Sequence, residues 1–168
     1  PTKLRRAYYY APESKSPSTL YVYLHGICGR AENGCAAFAG IAPSSWLLCP
    51  RAPVACGASD SWSDGATARR VVSSAATELQ QAEPAIRRST RGNGAIAFSQ
   101  GGYVFQDMVR SGANDFDRAL ILGAEVGLGA AELRKAGVKR AAFGAGKYDG
   151  TFAALQRTVK RLVAEGYP

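Results

Sequence analysis

A serine between a short apolar run and two glycines is the residue best placed for nucleophilic chemistry in this sequence. Residues 95–98 have the length and composition of a strand buried on both faces, and apolar residues at helical spacing follow from Tyr103. A chain that turns from strand to helix this abruptly holds the turning residue, Ser99, in a strained conformation. The serine hydroxyl then projects from the sheet edge, where the N–H groups at the helix start favour negative charge.

The residues on both sides of this serine are small, as a close approach of helix and strand requires. Residues 97–101 read Ala-Phe-Ser-Gln-Gly, which matches the nucleophile elbow Gly-X-Ser-X-Gly with alanine at the first position. Alanine is a mild departure, because a methyl group is the smallest side chain after glycine. The competing interpretation is an unreactive serine in a glycine-rich strand-to-helix turn.

The residue sequence of this turn also resembles that of a known family. Residues 98–102, Phe-Ser-Gln-Gly-Gly, are similar to the elbow of α/β-hydrolases of the carboxylesterase/phospholipase type, which are dienelactone-hydrolase-like serine esterases. The resemblance extends over residues 20–168. It implies Ser99 as nucleophile, a small ester substrate, an acyl-enzyme intermediate, and neither metal nor cofactor.

A second motif, His25-Gly26, follows the apolar run 19–24. In the family that it resembles, the N–H of the next residue and the N–H after the serine hold the developing oxyanion. The resemblance therefore implies an oxyanion hole made by the main chains of Ile27 and Gln100, which acyl transfer needs because negative charge builds on one oxygen. We expect the His25 side chain to brace this loop.

The resemblance implies a third catalytic group, an acid after the second strand past the elbow. Asp149 occupies that place in the order of predicted elements. The alternative is that Asp149 belongs to an ordinary Asp-Gly turn and has no catalytic role. Trp62 and His25 are candidate pocket residues, because the family carries a tryptophan in the corresponding loop. The alternative for Trp62 is packing beneath that loop.

The sequence lacks a suitable general base for the serine. A serine hydroxyl needs a base within hydrogen-bond reach, and the resemblance places that histidine after one further strand, beyond Pro168. His25 is the only histidine, and we expect it on the oxyanion side of Ser99. We therefore expect the N-terminal part of an active hydrolase, whose C-terminal fragment continues the chain or exists as a second chain. The alternative is a catalytically inactive hydrolase-fold binding module.

Alternating strand and helix signals must position these groups. Strands are predicted at 4–10, 19–24, 46–49, 95–98, 118–122 and 138–145, and helices at 66–82, 130–136 and 151–165 and after the elbow. Residues 50–65 read as a long loop and 91–94 as a turn that leads into the elbow strand. This pattern predicts the α/β class, with a mostly parallel sheet and helices on both faces. The fold expected is that of the α/β-hydrolases, with the last strand missing from this chain.

Four cysteines, Cys28, Cys35, Cys49 and Cys56, fall within one window. Their spacing does not match the Cys-x₂-Cys pairs typical of zinc sites. We expect two disulfides, in one of three pairings, and hence an oxidising compartment and a secreted or periplasmic protein. The alternative is four unpaired cysteines in a cytoplasmic protein.

Length and charge limit the remaining function classes. The 168 residues fit a single domain spanning 1–168, and no run approaches the roughly 20 apolar residues of a membrane span. The net charge of +8 raises the question of nucleic-acid binding. The basic residues, however, occur as scattered pairs such as Arg5–Arg6, Arg69–Arg70 and Lys160–Arg161, without interleaved aromatic residues. We therefore expect no nucleic-acid partner.

Overall fold

The computed structural model describes residues 1–13, 18–86, 90–112 and 115–168. Its strands are β1 (Thr2–Lys3), β2 (Ala7–Tyr10), β3 (Ser18–Leu24), β4 (Trp46–Pro50), β5 (Val54–Cys56), β6 (Ser59–Ser61), β7 (Thr90–Phe98), β8 (Arg118–Leu122) and β9 (Arg140–Gly144). Its α-helices are α1 (Ala31–Ala37), α2 (Gly65–Ala82), α3 (Gln100–Arg110), α4 (Ala130–Lys135) and α5 (Phe152–Ala164), and a 3₁₀ helix spans Ala39–Ser44.

Seven of these strands form one mixed sheet in the order β1-β2-β4-β3-β7-β8-β9. Strands β4, β3, β7, β8 and β9 are parallel to one another, whereas β2 pairs antiparallel with β4 and β1 pairs antiparallel with β2 at the edge. The predicted mostly parallel sheet is confirmed. The longest strand, β7, lies between β3 and β8, with Leu24 opposite Ala97 and Phe98 opposite Leu122. The carboxyl ends of β3, β7, β8 and β9 therefore meet at one edge of the sheet.

Helices cover both faces of the sheet because successive strand residues point to opposite sides. Leu24 and Ala97 belong to the larger core, whereas their neighbours Tyr23 and Ile96 belong to the smaller one. Helices α2 to α5 contribute buried residues to the larger core, and α1 contributes Ala31 and Cys35 to the smaller one. The helix layers predicted on both faces are confirmed.

Two predicted boundaries were wrong. The segment 50–65, predicted as a loop, contains the antiparallel hairpin β5–β6, whose connection is a turn with Gly57 at φ 60°. The turn predicted at 91–94 is part of β7, which pairs with β3 at Asn93 and Gly94 and with β8 from Gly94 onwards. Gly94 suits this strand because the ring of Tyr21 occupies the space that a Cβ atom would need. Neighbouring strands override the local turn preference of glycine and asparagine.

The four cysteines form two disulfides, Cys28–Cys56 and Cys35–Cys49, with Cα–Cα distances of 5.3 and 5.7 Å. The two predicted disulfides are confirmed, and the structure selects one of the three pairings. Cys35 and Cys49 are completely buried and join α1 to β4, whereas Cys28 is exposed in the loop after β3.

None of the helices in the described ranges combines the length and the apolar character that crossing a bilayer requires.

Helix α3 packs unusually close to the sheet at its first turn. A Cβ atom on Gly101 would collide with the main-chain carbonyl of Leu24, and one on Gly102 would collide with the Cβ of Ala124. Phe105, one turn later, is fully buried, with its ring centroid 6.0 Å from that of Phe116. The small residues after the serine thus set the distance between helix and sheet.

We predict that Gly101→Ala lowers the free energy of unfolding by about 1–3 kcal/mol, because the added methyl meets backbone atoms that cannot rotate away. The matched control is Gly40→Ala in the 3₁₀ helix, where an added Cβ would meet nothing within 4 Å. The control should change stability by less than about 0.5 kcal/mol. Urea unfolding followed by circular dichroism measures both variants, and equal effects would contradict the close approach.

Candidate active site

Ser99 forms the turn between β7 and α3 in a strained backbone conformation, with φ 52° and ψ −116°. Among the described non-glycine residues, only Ser99 and Cys28 have positive φ. The Ser99 N–H donates a 2.8 Å hydrogen bond to the carbonyl of Leu122, and the Ser99 carbonyl accepts from Gly102 at 2.9 Å. Strain held in place by neighbouring structure is typical of functional positions.

The loop after β3 passes directly beside this turn. A Cβ atom on Gly26 would lie 3.2 Å from the Cβ of Ser99 and 3.2 Å from the Cδ1 of Phe98. The loop turns through a 3.1 Å hydrogen bond from the Gly29 N–H to the Gly26 carbonyl, and Ile27 between them is 65% exposed. Glycine at position 26 therefore suits this close approach, because a larger side chain would have to displace atoms of the serine turn.

The two predicted oxyanion donors flank this contact. Gln100 is the first residue of α3, so its N–H has no acceptor within the helix. Within the described part of the chain, the N–H groups of Ile27 and Gln100 have no main-chain hydrogen-bond acceptor. Such donors are available to a negatively charged oxygen.

The side chain of Gln100 fixes the residue that follows the serine. Its Oε1 accepts from the Trp62 N–H and its Nε2 donates to the Trp62 carbonyl, both at 3.0 Å. This role of Gln100 was not predicted from the sequence. No local signal could have revealed it, because the partners are 38 residues apart.

His25 is 1% exposed, and both of its ring nitrogens are occupied. Its Nε2 accepts the Ala52 N–H at 3.3 Å, so the Nδ1 carries the proton and donates to the Gly26 carbonyl at 2.8 Å. Burial lowers the pKa of His25 below its usual value of 6.5. His25 is therefore a neutral brace of the loop.

Trp62 lies behind the same loop. It is 3% exposed, its Nε1 donates to the His25 carbonyl at 3.0 Å, and the two ring centroids are 5.2 Å apart. The structure thus brings His25 and Trp62, the two candidate pocket residues, together beneath the loop of residues 25–29.

Asp149 lies in the loop after β9, at the same edge of the sheet. Its Oδ1 accepts from the N–H of Thr151 at 2.8 Å and from the Thr151 Oγ1 at 2.7 Å. These hydrogen bonds lower the pKa of Asp149, which is ionised at neutral pH. The other oxygen, Oδ2, faces Gly123, where an added Cβ atom would lie 3.7 Å from it and 3.5 Å from the Cε2 of Phe98.

A mostly apolar cleft of about 440 Å³ connects these loops. Its lining includes Tyr23, Phe38, Phe98, Gly123 and Asp149, but not Ser99, Ile27 or Gln100. Asp149 and Phe98 therefore line the same cleft. Ser99 follows Phe98 directly in the chain but does not line the cleft. Two larger clefts, of about 710 and 690 Å³, lie along α2 and contain none of the predicted catalytic residues.

No protein-family model matches the chain, and no curated protein matches it significantly. Solved structures match it well. Esterase PE8 matches with a TM-score of 0.63 and 17% identity, over 96% of this chain and 85% of its own. The carboxylesterase of Bacillus cereus matches with a TM-score of 0.55 and 12% identity, over 94% of this chain and 93% of its own. A protein of unknown function from Agrobacterium tumefaciens str. C58 matches with a TM-score of 0.53 and 14% identity, over 96% of this chain and 96% of its own.

The chain has the α/β-hydrolase fold.

Within this hydrolase fold, hydrogen bonds tie the carboxyl ends of three strands together. Ser99 after β7 bonds the last residue of β8, and Gly123 after β8 donates to Gly144, the last residue of β9, at 2.9 Å. The Asp149 loop follows directly. The serine turn and the acidic loop thus follow two strands, β7 and β9, that are separated by β8 and end at the same edge of the hydrolase sheet.

The hydrolase loop that carries Ile27 is held at its far end by the hairpin β5–β6. Cys28 forms the disulfide with Cys56, and its N–H donates to the Ser61 Oγ at 2.9 Å. The Asp60 N–H donates to the Gly29 carbonyl at 3.1 Å. The hairpin β5–β6, which was predicted as a loop, therefore positions the loop beside the serine.

Among the described residues, no group of three or more His, Cys, Asp or Glu side chains is arranged to hold a metal ion.

We predict that the stability of the hydrolase fold falls as the pH drops below about 7. The lowered pKa of His25 means that the unfolded chain binds the proton first, so the free energy of unfolding decreases between about pH 7 and pH 5. One proton limits this slope to about 1.4 kcal/mol per pH unit. Because His25 is the only histidine, His25→Gln should flatten the slope, as measured by urea unfolding across that range. A variant with the wild-type slope would contradict the buried neutral state.

We also predict that limited reduction opens the two disulfides in a fixed order. Cys28 is exposed, whereas Cys35 and Cys49 are 0% exposed, so a thiolate reaches the Cys28–Cys56 pair first. Alkylation of Cys28 and Cys56 should precede that of Cys35 and Cys49 by about tenfold in time. Mass spectrometry of the alkylated peptides gives both rates, with the buried pair as the internal control. Simultaneous reduction would show that global unfolding, not access, limits the reaction.

Proposed function

We propose that this protein is a serine hydrolase that cleaves carboxylic esters through an acyl-enzyme, with Ser99 as the nucleophile. The observation that carries the proposal is the strained Ser99 turn, beside which the loop at Gly26 runs so close that an added Cβ atom would lie 3.2 Å from the Ser99 Cβ, and from which a helix starts at the next residue. The likeness to esterase PE8 and to the Bacillus cereus carboxylesterase supports the same chemistry.

In the proposed reaction, the Ser99 Oγ attacks the ester carbonyl carbon while its proton passes to a general base. The carbonyl π electrons move to the oxygen, which becomes an oxyanion. The N–H groups of Ile27 and Gln100 are the proposed donors to that oxyanion. The bond to the alcohol then breaks, the alcohol leaves with the proton, and water hydrolyses the acyl-serine by the same steps.

Asp149 is the proposed acid that orients the general base. Its Oδ1 is held by Thr151, which leaves Oδ2 on the side of the apolar cleft. His25 does not serve as the base in this proposal, because its Nδ1 is engaged with the Gly26 carbonyl and its Nε2 with the Ala52 N–H. We propose that a histidine from a segment outside these 168 residues, on the same polypeptide or on a separate fragment, hydrogen-bonds to Asp149.

The sheet edge at β9 supports the proposed docking of that segment. Among the described strands, β9 pairs with β8 alone, so its outer edge offers backbone hydrogen-bonding groups. Phe143 on β9 and Val159 on α5 line a cleft of about 400 Å³ beside this edge, and Val163 is 67% exposed. A further parallel strand would cover this apolar surface.

The proposed substrate is a small ester and the proposed location is secreted or periplasmic. Aromatic residues Tyr23, Phe38 and Phe98 line the cleft of about 440 Å³, which suits an apolar part of the ester. Two disulfides are stable in an oxidising compartment, which favours export.

A catalytically inactive binding module on the same scaffold is the second candidate. The specific observation in its favour is that the only histidine of these residues has no free ring nitrogen. A test of reactivity at Ser99 separates the two candidates.

We predict that a fluorophosphonate labels Ser99 in the full-length gene product, and that Ser99→Ala abolishes both labelling and ester hydrolysis. Loss of the nucleophile should lower kcat by about 10³-fold or more. The matched control is Ser44→Ala at an exposed serine of the 3₁₀ helix, which should react like the wild type. Labelled peptides are identified by mass spectrometry. Absence of labelling in the folded full-length protein would favour the inactive module.

A further inference from the structure

A second cleft, of about 690 Å³, lies between the β1–β2 turn, the segment after β4, and α2. It shares no lining residue with the apolar cleft that contains Asp149. It is therefore a separate feature of the molecule, and the proposed ester hydrolysis does not use it. We refer to it as the arginine cleft.

Four arginines from three segments line the arginine cleft: Arg5, Arg6, Arg51 and Arg70. Arg5 and Arg6 lie in the β1–β2 turn, and the Arg51 N–H ties that turn to the end of β4 through a 2.9 Å bond to the Arg6 carbonyl. Asp60 is the only acidic residue of the lining. Arginine pairs that are scattered in the sequence thus converge in the fold.

The single carboxylate neutralises only one of these guanidinium groups. The Asp60 carboxylate accepts bidentate hydrogen bonds from Arg51, at 3.0 Å from Nε and 3.4 Å from a terminal guanidinium nitrogen. This contact raises the pKa of Arg51. Arg70 donates to the hydroxyl of Thr67 at 2.9 Å. Within the described residues, the guanidinium groups of Arg5, Arg6 and Arg70 have no carboxylate in ion-pair contact.

Glu78 on α2 lies beside the cleft but, among the described residues, makes no ion pair with its guanidinium groups. Its carboxylate accepts from the main-chain N–H of Arg6 at 3.2 Å, not from the guanidinium group. Like charges brought together in one concave site create a positive potential that an anion relieves. The arrangement therefore favours a ligand of more than one negative charge.

We propose that the arginine cleft binds an organic phosphomonoester. A phosphomonoester carries a charge of about −1.5 to −2 at neutral pH and three acceptor oxygens, whereas a carboxylate carries one charge and two oxygens. Guanidinium groups pair with phosphate oxygens through two parallel hydrogen bonds, which makes arginine the preferred residue for such sites. Three unneutralised arginines match the phosphomonoester better than the carboxylate.

The walls of the cleft account for the organic part of the ligand. Ala52, Pro53 and Val71 provide an apolar surface beside the arginines. The volume of about 690 Å³ exceeds what a phosphate group needs and falls in the usual range of small-molecule sites. Ala52 also donates its N–H to His25, so the floor of the cleft and the loop beside Ser99 share a buried contact.

Calorimetric titration of a Ser99→Ala protein with phenyl phosphate tests this inference independently of ester hydrolysis. Benzoate, which has the same ring with a single charge, should bind at least about tenfold more weakly. Arg5→Gln/Arg6→Gln should lower the affinity for phenyl phosphate by about tenfold or more. The matched control, Lys139→Gln/Arg157→Gln, removes two exposed positive charges outside the cleft and should leave the affinity within about twofold.

The inference is overturned if phenyl phosphate does not bind, if benzoate binds as well, or if both double variants lose affinity equally. Equal loss would mean that net charge alone attracts the anion. Circular dichroism confirms that each variant is folded. If Arg5→Gln/Arg6→Gln does not fold, Arg70→Gln on α2 provides the same comparison, with a single control substitution at Lys139.

Discussion

The contact between the Ser99 turn and the backbone of the neighbouring strand is the constraint on which the rest of the site depends. Gly101 leaves no room for a side chain, because the Leu24 carbonyl occupies that space, and a side chain at Gly26 would be in tight contact with Ser99 on the other side of the turn. The contact fixes the entry of α3, and the larger core then forms around Phe105. The positive φ of Ser99 is maintained because strand and helix packing on both sides determine the path of the chain.

His25 extends this constraint away from the serine. Its ring and carbonyl connect the loop at Gly26 to Ala52 after β4 and to the indole of Trp62. The backbone of Trp62 in turn holds the side chain of Gln100. His25, at the start of the loop, and Gln100, directly after the serine, are thus joined through the buried Trp62. Removing a polar member of such a network leaves buried donors or acceptors unpaired, so the parts stabilise one another cooperatively.

Local signals explain why much of the fold could be predicted from the sequence. The buried run before Ser99, the helical spacing after it and the alternation of strands and helices depend on neighbouring residues, and the parallel sheet follows from them. The hairpin β5–β6, the disulfide pairing and the bonds between Gln100 and Trp62 could not be predicted, because each depends on residues distant in sequence. The catalytic roles of Ser99, Asp149, Ile27 and Gln100 stay predictions, since they concern chemistry and not geometry.

The two clefts near the carboxyl ends of the strands differ in charge because different elements build them. The cleft at Asp149 lies over β7, β8 and β9, whose terminal residues are apolar or glycine, so one ionised carboxylate provides its charge. The arginine cleft lies at the antiparallel side of the sheet, where β2 runs against β4 and brings the β1–β2 turn to the end of β4. That reversal places the basic turn at Arg5 beside Arg51. The antiparallel strand is therefore what separates an anion-attracting surface from an apolar one on the same molecule.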